Sequence, residues 1–306
     1  MLHIRELSEA KLERPSIVTI GVFDGVHRGH QLLINRLVDE ARATNRLAVV
    51  LSFFPHPDVV IRGITDRYYL TTPDERARLL GGLGVDVVVT HPFNEQVRQM
   101  RAAQFTDQLC EYLNLSTLWA TPDFALGYKR EGTIDFLREQ GQHRGFTVET
   151  ISLLHTEHDE IIASSTIRQA LETGDLPKAN NFLGRAYSVS GEVVHGEKRG
   201  RKIGFPTANL DIWPQQIIPQ HGVYACWATV GGETFMAVTN IGNRPTFAGQ
   251  GVTVEAHLLD FERDIYGQQV ELAFVARLRG EVKFSGIETL ISQIRQDVED
   301  GRRVLS

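Results

Sequence analysis

The sequence predicts an α/β domain built on a parallel sheet, followed by a small all-β barrel with a C-terminal helix. Three observations predict it. Up to about residue 176, short apolar runs alternate with helical patterns, the βαβ rhythm of a parallel sheet with helices on both faces. Beyond Leu176 the pattern changes to many short strands, with Gly231-Gly232 as a hairpin turn. One last segment, Ile287 to Glu299, returns to helical spacing, with Leu290, Ile291 and Ile294 on one stripe. Gly174-Asp175-Leu176-Pro177 is the best boundary and divides the chain into 1–176 and 177–306.

The elements follow in order. Ile17 to Phe23 is apolar and β-branched and reads as the first strand. A helix begins near Gly29, where Leu33, Leu37 and Ala41 start to recur at helical spacing. Leu47 to Phe54 is the second strand. Thr72-Pro73-Asp74-Glu75 is a capping box with proline at the first helical position, and Gly81, Gly82 and Gly84 close that helix. Val85 to Thr90 and Leu115 to Ala120 are the third and fourth strands, with a helix over Gln104 to Leu113 between them. Thr133 to Gln142 reads as helical and Phe146 to Leu153 as extended. In the second half, Ser188–Val194, Val223–Val230, Thr234–Ile241, Val252–Leu259 and Gln269–Leu278 read as strands.

Composition excludes several classes. A net charge of −6 argues against a general nucleic-acid binder. No apolar run approaches the length of a membrane span, and Met1-Leu2-His3-Ile4-Arg5-Glu6 has no signal-peptide core. Cys110 and Cys226 are far apart in apolar surroundings and read as reduced core residues. These features fit the cytoplasm.

The most informative string is Gly21-Val22-Phe23-Asp24-Gly25-Val26-His27-Arg28-Gly29-His30. A strand meets a glycine turn with two histidines, and a helix follows at once. The first N–H groups of a helix have no intrahelical partners and carry the positive end of its dipole, which suits phosphate. Histidines three apart can face one ligand, and an imidazole of pKa about 6.5 can donate to a phosphate and gain charge with it. Phe53-Phe54-Pro55-His56-Pro57, after the second strand, offers a stiff apolar wall for a flat ring; read alone it is more simply a core strand ending in a proline turn. Asp123, with Lys129 and Arg130 behind it, offers a carboxylate for a ribose hydroxyl and cations for phosphate. Ser164, Ser165 and Arg168 open a helix and make another anion site or a plain N-cap.

In the second half, Lys198, Arg199, Arg201 and Lys202 surround Gly200, a composition that suits phosphate or a basic surface hairpin. There is no Walker P-loop. Thr207 and Asn209 supply hard oxygens two apart, as Mg²⁺ prefers. Glu255 alternates with apolar neighbours on a strand and shares a face with His257; a held carboxylate can take the proton of an attacking alcohol, while read alone it is more simply an exposed strand glutamate.

These strings resemble known families. Gly21 to His30 is similar to the G-x-F-D-x-x-H-x-G-H motif of the HxGH nucleotidyltransferases. With Phe53 to Pro57, the loop from Asp123 to Gly132 and Ala163 to Arg168, it resembles the FMN adenylyltransferase module of bacterial bifunctional FAD synthetases. Gly200-Arg201, Gly204 to Asn209, Gly222-Val223-Tyr224, Asn240 to Phe247, Glu255 to Phe261 and Leu278 to Phe284 resemble the run of riboflavin kinases.

The resemblance implies a Rossmann-like nucleotidyltransferase domain and a six-stranded riboflavin kinase-like barrel. It implies a bifunctional transferase that phosphorylates riboflavin to FMN and adenylylates FMN to FAD, releasing pyrophosphate. Its small-molecule partners would be riboflavin, FMN and ATP, with Mg²⁺ beside ATP, and neither nucleic acid nor membrane. His27 and His30 would bind the triphosphate and Glu255 would be the kinase base. Gly21, Phe23, Asp24, Gly29, Ser164, Ser165 and Arg168 would hold ATP in the first half, and Gly200, Arg201, Thr207 and Asn209 in the second. Thr207 and Asn209 would also hold the metal. Phe53, Phe54, Pro55, His56, Pro57 and Asp123 would face flavin. The chain departs from the pattern at Thr121, Leu126 and Ala163, where glycine, phenylalanine and serine are usual. Those departures define the alternative reading, a riboflavin kinase with a weakened adenylyltransferase domain.

Overall fold

The computed structural model describes residues 1–151, 162–196, 199–246 and 249–306, without the side chains of residues 199, 202, 244–246, 249 and 250. The expected strand end at Leu153, together with Lys198, Phe247 and the side chains of Arg199 and Lys202, lies outside the described residues. The chain forms two compact units, Met1–Ser164 and Ser165–Ser306.

The first unit is built on six parallel strands: β1 (Leu2–Ile4), β2 (Ser16–Ile20), β3 (Leu47–Phe54), β4 (Val87–Pro92), β5 (Leu115–Ala120) and, after a two-residue pair β6 (Ala125–Leu126) and β7 (Gly132–Thr133), β8 (Thr147–Thr150). Their order is β1-β4-β3-β2-β5-β8. Alternation within each strand makes two cores. Val18, Ile20, Val49 and Leu51 pack on one face with Phe105, Leu109 and Leu113 of α5 (Ala102–Leu113) and Leu137 of α6 (Ile134–Arg144). Ile17, Ala48, Val50 and Val88 pack on the other with Ile34, Leu37 and Val38 of α1 (Arg28–Ala43) and Leu80 of α3 (Pro73–Gly82). Two short helices, α2 (Pro57–Arg62) and α4 (Glu95–Gln99), follow β3 and β4.

The chain runs outward from β2 through β3 and β4, then returns to place β5 on the other side of β2. This reversal opens a crevice at the carboxyl ends of β2 and β5, where ligands of such sheets bind. Strand β2 ends at Ile20, not at Phe23. Gly21 starts a turn in which Phe23 (φ 54°), Gly25 (φ 81°) and Val26 (φ 42°) are all left-handed. For a β-branched residue such as Val26 that conformation costs roughly 1–3 kcal/mol and is held by its surroundings.

The second unit contains a closed antiparallel barrel of β9 (Tyr187–Val194), β10 (Ala208–Ile212), β11 (Gly222–Val230), β12 (Glu233–Thr246), β13 (Gly249–Leu258) and β14 (Gln269–Arg279), in the order β10-β13-β12-β11-β14-β9. Tyr187, Tyr224, Cys226, Ala256 and Phe274 are among its buried positions. Both cysteines are free, and burial pushes the Cys226 thiol up to about 12. The helix α7 (Ser164–Thr173) leads to α8 (Leu176–Leu183). The stretch read as a boundary is therefore a helix start: Asp175 accepts the Lys178 N–H at 3.1 Å, and Pro177 fills a first-turn position where no donor is needed. A four-residue turn, α9 (Arg199–Lys202), precedes β10.

The C-terminal helix α10 (Ile287–Leu305) lies across β11, β12 and β14. It approaches closely at Gly301, where a Cβ would stand 2.7 Å from Val238. Arg279 of β14 grips it through Asp297, with Nε–Oδ1 at 2.8 Å and Nη2–Oδ2 at 2.7 Å.

Candidate active sites

In the first unit the turn after β2 delivers two imidazoles to the start of α1. His27 is the N-cap: its Nδ1 accepts the His30 N–H at 3.3 Å. The rings of His27 and His30 stack, 3.5 Å between centroids and 18° between planes, and Phe23 meets His30 edge-on at 5.0 Å. His30 Nδ1 is buried without a partner. Burial first, then the neighbouring His27 and Arg76, holds His30 well below the ordinary imidazole pKa. A Cβ on Gly29 would stand 3.2 Å from the His27 ring, so glycine leaves the imidazole its space.

A cavity of about 360 Å³ opens above this turn. Gly21, Phe23, Gly29 and His30 line it from one side, Phe53 and Pro57 from a second, and Thr121, Asp123 and Arg130 from a third. The 121–133 loop is a built element. Strands β6 and β7 pair, Arg130 donates to the Asp123 carbonyl at 2.6 Å, and Glu131 ties Arg101 and the Ala102 N–H at the start of α5. Leu126, the departure from phenylalanine, packs into the core.

Other expected residues are turned elsewhere. Asp24 is buried and accepts from the Leu70 and Thr71 N–H groups and the Thr71 hydroxyl at 3.0–3.2 Å, so its carboxylate holds the turn to the chain before α3. Ser164 donates to the Asp24 carbonyl at 2.8 Å and anchors the same turn. His56 caps α2 by accepting from Asp58 N–H, and Phe54 packs 5.6 Å from Tyr69. Pro55 is exposed. Ser165 and Arg168 lie in the second unit's part of α7. Sequence reasoning passed over Arg76, buried in α3, which donates to the Val22 and Phe53 carbonyls.

In the second unit the register aligns three polar residues. Asn209 of β10 pairs with Glu255 of β13, which pairs with Asn240 of β12. Partners across a ladder share a face, so the three form a row. His257, two positions on from Glu255, donates from Nδ1 to the Pro206 carbonyl at 2.7 Å and holds the turn that presents Thr207. A Cβ on Gly200 would stand 2.3 Å from the Phe205 carbonyl, so only glycine lets α9 close on that turn.

Two cavities meet at Thr207. One, of about 220 Å³, is lined by Arg201, Thr207, Phe261, Arg263 and Tyr266. The other, of about 370 Å³, is lined by Gly200, Thr207, Asn240 and Glu255 at one end and by Phe205, Phe284 and Ile294 at its apolar walls. Asn240 and Phe284, both within the kinase-like strings of the sequence, join the expected site residues in this lining. The register with Glu255 is the signal for Asn240. Among the described residues no cluster of three or more His, Cys, Asp or Glu could hold a metal. The oxygens of Thr207 and Asn209 fit a cation whose remaining ligands are phosphate and water.

Comparison with known proteins covers both units. A family model described as FAD synthetase matches residues 9–166, and one described as riboflavin kinase matches residues 183–305. The chain is 38% identical to a bifunctional riboflavin kinase/FMN adenylyltransferase of Listeria monocytogenes, over 94% of this chain and 91% of that one. It is 36% identical to the protein so named in Bacillus subtilis, over 99% and 96%, and 37% identical to that of Escherichia coli, over 96% and 94%. A solved structure from Streptococcus pneumoniae, described as a macrolide-efflux protein, superposes with a TM-score of 0.87 at 29% identity, covering 98% of each chain. No helix among the described residues of the present chain is long and apolar enough to cross a membrane.

Proposed function

The chain belongs to the bifunctional riboflavin kinase/FMN adenylyltransferase family, and from that premise we propose how its residues divide the two reactions. It is a transferase that phosphorylates riboflavin to FMN with ATP and adenylylates FMN to FAD with release of pyrophosphate. The kinase-only alternative is not favoured, because both family models match. The functional division is residues 1–176 for adenylyl transfer and 177–306 for phosphorylation. The enzyme works in the cytoplasm, where its nucleotide co-substrate is found.

The observation that carries the first-site reading is the stacked His27–His30 pair at the N-terminus of α1, beneath a cavity at the β2–β5 crevice. The triphosphate of ATP takes the α1 amides and the two imidazoles. Because His27 Nδ1 accepts the His30 N–H, a proton on this ring sits on Nε2, the nitrogen from which it would donate. An FMN phosphate oxygen bonds to the α-phosphorus while the bond to pyrophosphate breaks. Negative charge grows on the leaving group, and fixed donors already in place stabilise it. Phe53 and Pro57 form the apolar wall for a flat ring, with Asp123 and Arg130 at the polar rim. Asp24 and Ser164 act behind the site, holding the turn.

In the second unit the larger cavity takes the flavin, its ring between apolar walls and its ribityl chain toward Glu255 and Asn240. The smaller takes the nucleotide beside Arg201. Thr207 and Asn209 would hold the Mg²⁺ that accompanies ATP; when bound, that ion would neutralise phosphate charge. Glu255 accepts the proton of the 5′-hydroxyl as its oxygen bonds to the γ-phosphorus and ADP leaves.

A time course of riboflavin with Mg·ATP tests the whole reading. FMN rises first, and FAD follows with equal pyrophosphate. Supplied FMN that yields no FAD would overturn the first-unit assignment.

A further inference from the structure

Arg76 is a charged side chain that is 1% exposed. It lies in α3, four positions after the N-cap Thr72, whose hydroxyl accepts the Glu75 N–H. Nη1 donates to the Val22 carbonyl at 2.7 Å and Nη2 to the Phe53 carbonyl at 3.4 Å, while Nε has no partner. Asp24 lies close enough to favour its charge, yet no ion pair of Arg76 forms among the described residues. The Asp24 oxygens are turned to Leu70 and Thr71 instead. An arginine buried without an ion pair is costly, and a well-packed apolar residue is commonly the more stable choice.

Its position suggests what is gained. Val22 and Phe53 follow and end neighbouring parallel strands, and both line the first-unit cavity together with His30. The guanidinium fork reaches both carbonyls at once, which a single ammonium does not do with the same geometry. We propose that Arg76 is a positioning residue for adenylyl transfer: it clamps two cavity walls from beneath and sets a fixed positive charge under the polyphosphate of ATP. This role rests on the reading that the Gly21–His30 turn holds that polyphosphate. Arg76 does not touch substrate; it acts through the walls and through its field.

The field has a second target. The groups that face His30 electrostatically are His27 from the same turn and Arg76 from α3, and those that face Arg76 are Asp24 and Tyr69. Arg76 thereby helps to keep His30 neutral, so that its charge is taken up only as the leaving group needs it.

The test uses the full-length enzyme with supplied FMN and ATP, measuring FAD formation across pH, with thermal unfolding of the same samples as the control for folding of the first unit and riboflavin kinase activity as the control for the second. Arg76→Met is expected to raise the KM for ATP about tenfold or more, the scale of losing one partly buried charge near a polyanion. It also moves the acid limb of kcat/KM for adenylyl transfer to higher pH, because His30 protonates more easily. Arg76→Lys keeps the charge and loses the fork: the ATP KM stays within about threefold and the acid limb stays in place, while kcat falls. Kinase activity stays unchanged in both. Equal losses in the two variants with a fixed acid limb would make Arg76 a structural strut and overturn the proposal, as would a methionine variant that behaves like the native enzyme. If the methionine variant does not fold, Arg76→Lys decides: an acid limb displaced with the charge retained overturns the role. His30→Ala with undiminished FAD formation would instead overturn the site reading, and this role with it.

Discussion

The first unit draws its positive character from inside the fold. The α1 N-terminus, the stacked His27 and His30 and the buried Arg76 are assembled around a strained turn before any substrate arrives. The second unit handles phosphate on the barrel with much lighter equipment. Arg201, a neutral oxygen at Thr207 and a carboxylate at Glu255 line two cavities that share that threonine, and Asn209 stands across the ladder from Glu255. The comparison teaches that charge can be built in or brought in. Built-in charge is preorganised but sensitive to pH and costly to bury. On the proposed kinase reading, charge brought in with Mg·ATP leaves the protein only donors and acceptors to position.

The largest expected effect separates the two sites outright. His27→Ala with His30→Ala lowers FAD formation from FMN by about 10³-fold or more, the loss expected from removing two preorganised donors. FMN formation from riboflavin is untouched, and chromatography of both flavins reads the split. A double variant with native FAD output would break the comparison. Glu255→Ala reverses the pattern: riboflavin phosphorylation falls about 10²–10⁴-fold, while supplied FMN is still converted to FAD.

A smaller effect concerns the wall of the kinase cavity. Asp297→Ala leaves Arg279 partly buried without its carboxylate and destabilises the second unit by about 3 kcal/mol. Urea denaturation followed by tryptophan fluorescence should show the loss, and an unchanged midpoint would mean that the pair contributes nothing.

The smallest effect is a pH dependence of stability. His3, His30 and His91, all in the first unit, are lowered, in each case chiefly by burial. Each binds a proton less readily folded than unfolded. As pH falls below about 6.5, the unfolded chain takes up protons first and the first unit loses stability until the folded pKa values are passed. Thermal unfolding at pH 7.5 and pH 5 checks this: the first unit's transition drops on acidification. A transition that stays in place would remove the argument that the built-in site is acid-sensitive.

Much of this was legible because the two periodicities are clean. The faces of β2 and β3 separate into Val18, Ile20, Val49 and Leu51 against Ile17, Ala48 and Val50, and that alternation is visible in the string. The histidine turn was legible as a motif, but its shape was not. Phe23 reads as strand by propensity and sits at φ 54°, because the turn is over-determined by Asp24, Thr71 and Ser164 far along the chain. Strand β1 is three residues long and gives no period to read. The boundary stretch Gly174–Pro177 did not show the start of α8, because Gly, Asp and Pro mark turns and helix starts alike. Arg76 was illegible for another reason. Its role depends on carbonyls 54 and 23 positions away, and a charged residue in a helix gives no sign that it will be buried.

The bond from Ser164 to the Asp24 carbonyl spans 140 residues. A nascent chain has made the histidine turn long before it has made the serine that closes on it. A chain that stops before α7 would carry the segments of all six parallel strands but not the serine that fastens the turn. Contacts of such separation form slowly. The order of appearance along the polypeptide thus makes this fastening of the histidine turn a late event.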